Sequence, residues 1–252
     1  MSGTIAALYR HPIKGFTPEA LAGARLAVGQ AFPGDRLFAV EDGPSGFDAA
    51  APAWISKQRF TVLAKIAEVA KVRTRYDEAA DILHAAAAGA PDIAIAMVDD
   101  DGRAAFATWL ATVLGEAAAG PLRVVNAPGH RFMDHPKGDV SIINLASVRD
   151  LEMRLGAPLD PLRFRANLYV EGWPAWVEND WVGRQLTLGP AAARVYAPIT
   201  RCAATMVDPT TAARDIDVPG ALFQFYGHLL CGIYVHVETS GEIAVGDAAD
   251  VL

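Results

Sequence analysis

Short runs in which apolar and polar residues alternate, each cut off by glycine, proline or aspartate, fill most of this chain and leave little length for helices. "TIAALYR" (4–10) alternates in strand fashion. "ARLAVGQAFPGDRLFAVEDG" (24–43) places the turn residues Phe32-Pro33-Gly34-Asp35 between two apolar runs. "DVSIINL", "FRANLYVEG", "RQLTLG" and "ARVYAPI" read as strands in the second half. "CGIYVHVETSGEIAVGD" reads as a hairpin with Thr239-Ser240-Gly241-Glu242 at its tip. "HAAAAGAP" (84–91) and "DDDGR" (99–103) read as turns. Phe106, Trp109, Leu110, Val113 and Leu114 recur at helical spacing and predict an amphipathic helix over 104–118. A second helix is expected after Ser147, with Asp150 three residues on in the manner of a capping box. Val148, Leu151 and Leu155 line one face of it, and Gly156 ends it ahead of Ala157-Pro158. Many short strands with few helices predict a β-rich, barrel-like α+β protein.

A chain of 252 residues can form one domain or two, and 52% hydrophobic with 20% charged residues is an ordinary globular composition. Arg10, His11 and Lys14 interrupt the N-terminal region before it reaches signal-peptide length, and no stretch approaches the roughly 18 apolar residues of a spanning helix. The expectation is a cytoplasmic protein with no membrane segment. A net charge of −7 argues against a general nucleic-acid binder. Two cysteines are too few for a four-thiolate iron–sulfur cluster, an all-cysteine zinc site or a disulfide framework. No G-x-G-x-x-G opens a helix, and G-x-x-x-x-G-K-[ST], C-x-x-C and G-x-S-x-G are all absent.

The residues suggest chemistry at a few places. Cys202 follows Arg201 in "PITRCAATMVDPTT" (198–211), a neighbour that favours the thiolate, the form that attacks electrophiles or binds soft metals; the alternative is a cysteine packed as a small hydrophobe. Cys231, in "HLLCGIYV", reads as core. His130 and His135 of "GHRFMDH" lack a further ligand for a zinc site and read as a polar loop, with Asp134 a weak carboxylate beside them. His228 reads as a turn histidine. Lys14 and Arg36 sit at strand–turn junctions, where side chains and backbone N–H groups can meet an anion; Arg165 is a third candidate, and the alternative for all three is solvated surface.

Taken together, "LYRHPIKGF…PGDRLFAVEDG", "VSIINLASVRDL", "LRFRANLYVEGWPAWVENDW", "ITRCAATMVDPTT" and "GIYVHVETSGEIAVGD" resemble, in order and over nearly the whole chain, the MOSC family. The resemblance is strongest to amidoxime-reducing components and bacterial reductases of N-hydroxylated bases. It implies an N-terminal MOSC-associated β-barrel subdomain (1–120) packed on a MOSC β-barrel domain (121–252), with a few peripheral helices and a molybdenum cofactor (Mo-molybdopterin) between the two. Cys202 matches the molybdenum ligand and the catalytic position. Lys14, Arg36, Arg165 and Asn167 match pterin and phosphate contacts, and Thr200, Arg201 and Tyr234 match further cofactor contacts. Gly15 stands where these reductases often carry serine, so a backbone N–H takes over that contact or it is missing; Ala166 replaces a usual proline.

The activity so implied is reduction of hydroxylamines, amidoximes or N-hydroxylated bases, small-molecule substrates whose oxygen passes to molybdenum. Because the chain carries no flavin, haem or iron–sulfur motif, the electrons are expected from a separate donor protein. Asp134, His135 and His228 are candidate proton donors. The rival expectation is a cofactor carrier, or a sulfur-transfer protein with persulfide on Cys202.

Overall fold

The computed structural model describes residues 1–118, 120–135 and 140–252. Its elements run β1 (Ser2–Arg10), β2 (Glu19–Leu21), β3 (Gly23–Leu26), β4 (Ala39–Asp42), β5 (Arg73–Asp77), β6 (Ile82–Ala86), β7 (Ile93–Ala96), α1 (Asp100–Leu114) and β8 (Leu122–Val125). The second half continues with β9 (Val140–Asn144), α2 (Leu145–Leu155), β10 (Leu168–Glu171), β11 (Gln185–Leu188), β12 (Ala191–Thr200), α3 (Val218–Tyr226), β13 (Leu230–Thr239), β14 (Gly241–Ala244) and β15 (Ala248–Val251). The chain is a β-rich α+β protein, as its alternating runs predict.

Seven strands close on themselves in the order β10-β9-β13-β12-β11-β15-β1, with β1 returning to β10 and β2 added outside β1. Alternation along these strands sends Ile5, Leu8, Ile142, Leu168, Leu186, Val195, Ile233 and Val235 into the barrel interior, each at most 1% exposed. Most of the barrel comes from the second half of the sequence. β1 comes from the first and pairs antiparallel with β10 and β15, while β3 pairs with β14. With the pairing of β4 and β8, strand pairing crosses residue 120 at four places. The rest of the first half forms its own core, in which Phe16, Phe38, Val72, Leu83, Phe106 and Leu110 pack beneath the β5-β6-β7 sheet and α1. On the outside of the barrel, α2 and α3 bury Leu151 and Leu222 against Ile143 and Phe164.

Several local expectations shift. α1 begins at Asp100, so "DDDGR" is not a free turn: the Asp99 side chain accepts from Gly102 N at 2.8 Å, and Asp100 and Asp101 complement the helix dipole in the first turn. α2 is capped by Asn144, whose Oδ1 accepts from Ala146 N. Ser147 lies inside that helix, donating its hydroxyl to the buried Glu178 and accepting from Trp176 N. His84 to Ala86 belong to β6. The turn after Thr239 joins β13 and β14, but they part: β13 pairs with β12 and β9, and β14 with β3. Among the described residues no helix is long and apolar enough to cross a membrane.

Closure of the barrel leaves no room at Gly3. A Cβ there would lie 2.5 Å from Trp173 Nε1 and 2.7 Å from the Glu171 carbonyl oxygen, while Trp173 is held by a 2.9 Å bond to the Ala249 carbonyl. Gly3→Ala is therefore expected to cost about 1–3 kcal/mol of stability, read as a lowered urea midpoint at unchanged slope; an unaltered midpoint would mean the seam is looser than this packing implies.

Candidate functional site

One cleft of about 410 Å3 opens where the end of the barrel meets the first-half core. The turn after β1 supplies Lys14 and Gly15, the Phe32–Asp35 turn leads into Arg36, and the segment before β10 supplies Arg163 to Arg165. The ends of β12 and β13 supply Thr200, Arg201, Cys202 and Tyr234. Of the nine residues matched to cofactor contacts in the sequence, Asn167 alone does not line the cleft. It is fully buried, its Oδ1 accepts from Ser141 N and Oγ (3.1 and 2.8 Å), and its Nδ2 donates to the Tyr9 carbonyl at 3.2 Å. Its amide is occupied in joining β1, β9 and the start of β10, so it braces the site rather than facing it.

The cleft is strongly cationic for a chain of net charge −7. Among the described residues, Lys14, Arg36, Lys57, Arg163, Arg165 and Arg201 all line it, against the single carboxylate of Asp134. Arg36 and Arg165 both adopt left-handed backbone conformations, with φ of 49° and 55°. Side chains other than glycine pay about 1–3 kcal/mol there, and such residues gather where geometry matters for binding. Each is over-determined by its surroundings. Arg36 N donates to the His11 carbonyl at 2.7 Å, and its guanidinium contacts the fully buried Asp35 and reaches the Arg165 carbonyl at 3.4 Å. Arg165 closes a turn capped by Asp160 and donates to the Phe16 carbonyl at 2.6 Å. Among the described residues no carboxylate lies within ion-pair distance of Arg165. Burial, and then the like charge of Arg36, pushes its guanidinium down to about 10, still cationic at neutral pH.

Lys14, only 2% exposed, donates to the carbonyls of Phe132 (2.9 Å) and Met133 (3.2 Å) and to Asp134 Oδ1 (2.7 Å). Burial lowers its pKa, with Asp134 opposing. Burial would raise Asp134, but Lys14, then Arg36 and Lys57, hold its carboxyl well below the usual range. Gly15 has φ +85° and approaches Val62 so closely that a Cβ would lie 2.7 Å from the Val62 Cα. Serine has no room at this position, which explains physically why the residue departs from the pattern of the reductases.

Cys202 leaves β12 in an extended conformation and caps the turn Ala203–Met206, its carbonyl accepting from Thr205 N (3.0 Å) and Oγ1 (2.9 Å). Its half-buried thiol faces the cleft wall with Lys57 Nζ 3.1 Å from Sγ, a contact that suits an anionic sulfur. The cation on the sulfur is thus Lys57. Arg201 turns its guanidinium to the carbonyls of Cys231 (2.7 Å from Nε) and Phe164 (2.8 Å). No motif flags Lys57, which arrives from a loop 145 residues away. Sequence reading also passed over Arg163, 3% exposed, which holds the segment after Cys202 through the Met206 carbonyl (3.1 Å), Asp208 (3.0 Å) and Asp215 (2.8 Å).

The other candidates separate. Cys231 is fully buried, and burial pushes its thiol up to about 12. His228 Nδ1 accepts from Leu230 N. His130 packs on Phe47 and Phe132, whereas His135 meets Tyr196 and Tyr234, so the two do not form a pair of ligands. Among the described residues no three His, Cys, Asp or Glu side chains converge as in an all-protein metal site.

Comparison with known proteins sharpens this picture. Residues 129–250 match the MOSC domain and residues 2–119 the MOSC N-terminal beta barrel domain. The chain belongs to the MOSC family. Similar MOSC relatives include mitochondrial amidoxime-reducing component 1 of Mus musculus, 28% identical over 123 residues, and component 2 of Bos taurus, 31% identical over 120 residues. These matches cover 44% and 43% of this chain and only 36% and 35% of the relatives, so the chain spans about a third of their length. Among solved structures, the YUAD protein from Bacillus subtilis aligns over 100% of this chain and 96% of its own, at 14% identity and a TM-score of 0.45.

Two outcomes follow for the MOSC cleft. Arg165→Gly relieves the left-handed backbone and the repulsion from Arg36, so its melting temperature should equal or exceed that of the wild type; a clear loss of stability would show that the arginine is a structural requirement. His11, wholly buried next to Arg165 and Arg36, is pushed down to about 3, chiefly by burial, from an ordinary 6.5. The unfolded chain therefore binds the extra proton first, and stability should fall as pH drops from about 6.5 toward 3. His11→Gln should flatten that part of the pH–stability curve, measured by denaturant titration; an unchanged slope would assign it to other groups.

Proposed function

We propose that this chain is a molybdenum-cofactor reductase of N-hydroxylated compounds. The observation that carries the reading is a half-exposed thiol, Cys202, in the wall of a cationic cleft whose other matched residues, Lys14, Arg36, Arg165, Thr200, Arg201 and Tyr234, are brought to the same space. The fit is chemical as well as positional. Arg165 lacks a carboxylate within ion-pair distance among the described residues, so the cleft presents its donors to an anion. Its volume lies in the range of cofactor and ligand pockets. When bound, the cofactor supplies the two-electron chemistry that converts N–OH to N–H with uptake of two protons and release of water.

The residues of the chain divide that work. Lys14, Arg36 and Arg165 hold the pterin phosphate, and the Gly15 N–H adds a donor where no serine hydroxyl can sit. Cys202 offers a soft thiolate to the metal. Arg201 and Arg163 fix the chain on either side of Cys202, and Asn167 braces the three strands beneath. Tyr234 and Thr200 face the cleft from the barrel side, beside the space left for a small substrate. Electrons come from a separate redox protein. The contact of Lys57 with the Cys202 sulfur also suits a persulfide, which makes sulfur transfer or cofactor carriage the second reading.

Molybdenum and pterin content per chain, after expression in a cofactor-competent host, tests the choice. Near-stoichiometric loading is expected, with metal lost or its site altered in Cys202→Ser and reduction of a benzamidoxime or hydroxylamine abolished. Folded wild-type protein with neither metal nor pterin, and persulfide on Cys202, would replace the reductase reading with the second one.

A further inference from the structure

The cations of the cleft meet one carboxylate that stands apart from the rest. Asp35 backs Arg36 from the protein interior, and Asp208 with Asp215 back Arg163; none of these three lines the cleft. Asp134 does. Its Oδ1 accepts from Lys14 Nζ at 2.7 Å, and the charges of Arg36, Lys57 and Arg165 all act on it. Its side chain is 46% exposed, whereas that of Lys14 is 2% and that of Arg36 9%. The carboxylate can therefore turn into water at little cost in solvation, while the cations it leaves cannot follow.

Lys14 has partners that hold it when the carboxylate leaves. The carbonyls of Phe132 and Met133 keep Lys14 in place by themselves, and Trp54 Nε1 holds the Met133 carbonyl from the other side at 3.2 Å. Among the described residues the Asp134 carboxylate is hydrogen-bonded to Lys14 alone, while a phosphate carries more charge and three oxygens to share among Lys14, Arg36 and Arg165. Two such anions side by side would repel, so one must displace the other.

We propose that Asp134 is a built-in stand-in for the ligand's anion: it partly neutralises the cradle when no ligand is bound, and a phosphate group, free or on a pterin, enters by exchange with it. This deepens the cofactor reading above, from which the identity of the phosphate is taken. Asp134 is then a gate on loading rather than a proton donor to substrate. It also explains how a cleft with so many cations stays folded before loading.

Inorganic phosphate is the probe, titrated calorimetrically into cofactor-free protein, so that the result does not depend on turnover or on molybdenum. Asp134→Asn should bind phosphate about tenfold more tightly than wild type. Asp134→Glu, which keeps the charge, should not. The gain should persist at high ionic strength, as expected of a contact pair rather than a screened field, and should be lost in the double variant with Lys14→Met, which removes the cation that Asp134 holds. Equal affinity of wild type and Asp134→Asn, a gain erased by salt, or a gain surviving in the double variant would each overturn the exchange. Should Asp134→Asn fail to fold alone, refolding in phosphate ought to recover it, and failure to recover would overturn the proposal equally. If the exchange holds while wild-type protein carries no molybdenum, the anion site stands and the reductase reading falls.

Discussion

The antiparallel pairing of β1 with β10 is the constraint on which the cleft depends. Leu8 lies opposite Leu168, Tyr9 N donates to the Asn167 carbonyl at 2.8 Å, and the Asn167 side chain returns a bond to the Tyr9 carbonyl. That register sets the chain leaving β1 beside the chain entering β10. Residues 11–16 and 163–167, about 150 positions apart in sequence, then share one face. Arg165 can reach the Phe16 carbonyl, and Arg36 can reach the Arg165 carbonyl, because this seam aligns them. A slip of one residue would part Asn167 from the Tyr9 carbonyl and undo both contacts.

Around that seam the arginines do two different jobs. Arg201 and Arg163 spend their donors on carbonyls and carboxylates that flank Cys202, fixing the thiol from both sides along the chain. Arg36 and Arg165 are held by backbone geometry and keep donors directed at the cleft. Rigid support beneath a small set of exposed donors is the arrangement that binding sites require, since donors fixed in advance lose less freedom on meeting a ligand.

Much of this was legible in the sequence, and the parts that were not share a cause. Alternating runs revealed β1, β11 and β12 because these strands bury about every second residue, and β9 and β10 showed as short runs because they are buried on both faces. The family motifs pointed to eight residues that line the cleft, because phosphate and soft-metal recognition use conspicuous residue types. Asn167 illustrates the limit: its type and place in the motif are apparent, but only coordinates show its amide absorbed by Ser141 and Tyr9. Lys57 left no signal, since its role comes from a loop crossing to Cys202 and not from its neighbours in sequence. The parting of β13 and β14 was illegible for a similar reason: the tight turn after Thr239 is real, but each strand finds a better partner elsewhere. Ser147 misled because Asn144, three residues earlier, caps the helix first.

Closure by β1 also orders events in time. β1 has as its two barrel partners β10 and β15, and both are synthesised after β9 and α2. During synthesis β1 must wait, its apolar face unsatisfied, until β10 and β15 have emerged. The cleft is thus among the last features to form, and a ligand that requires Lys14 and Arg165 together meets a finished protein rather than a nascent one.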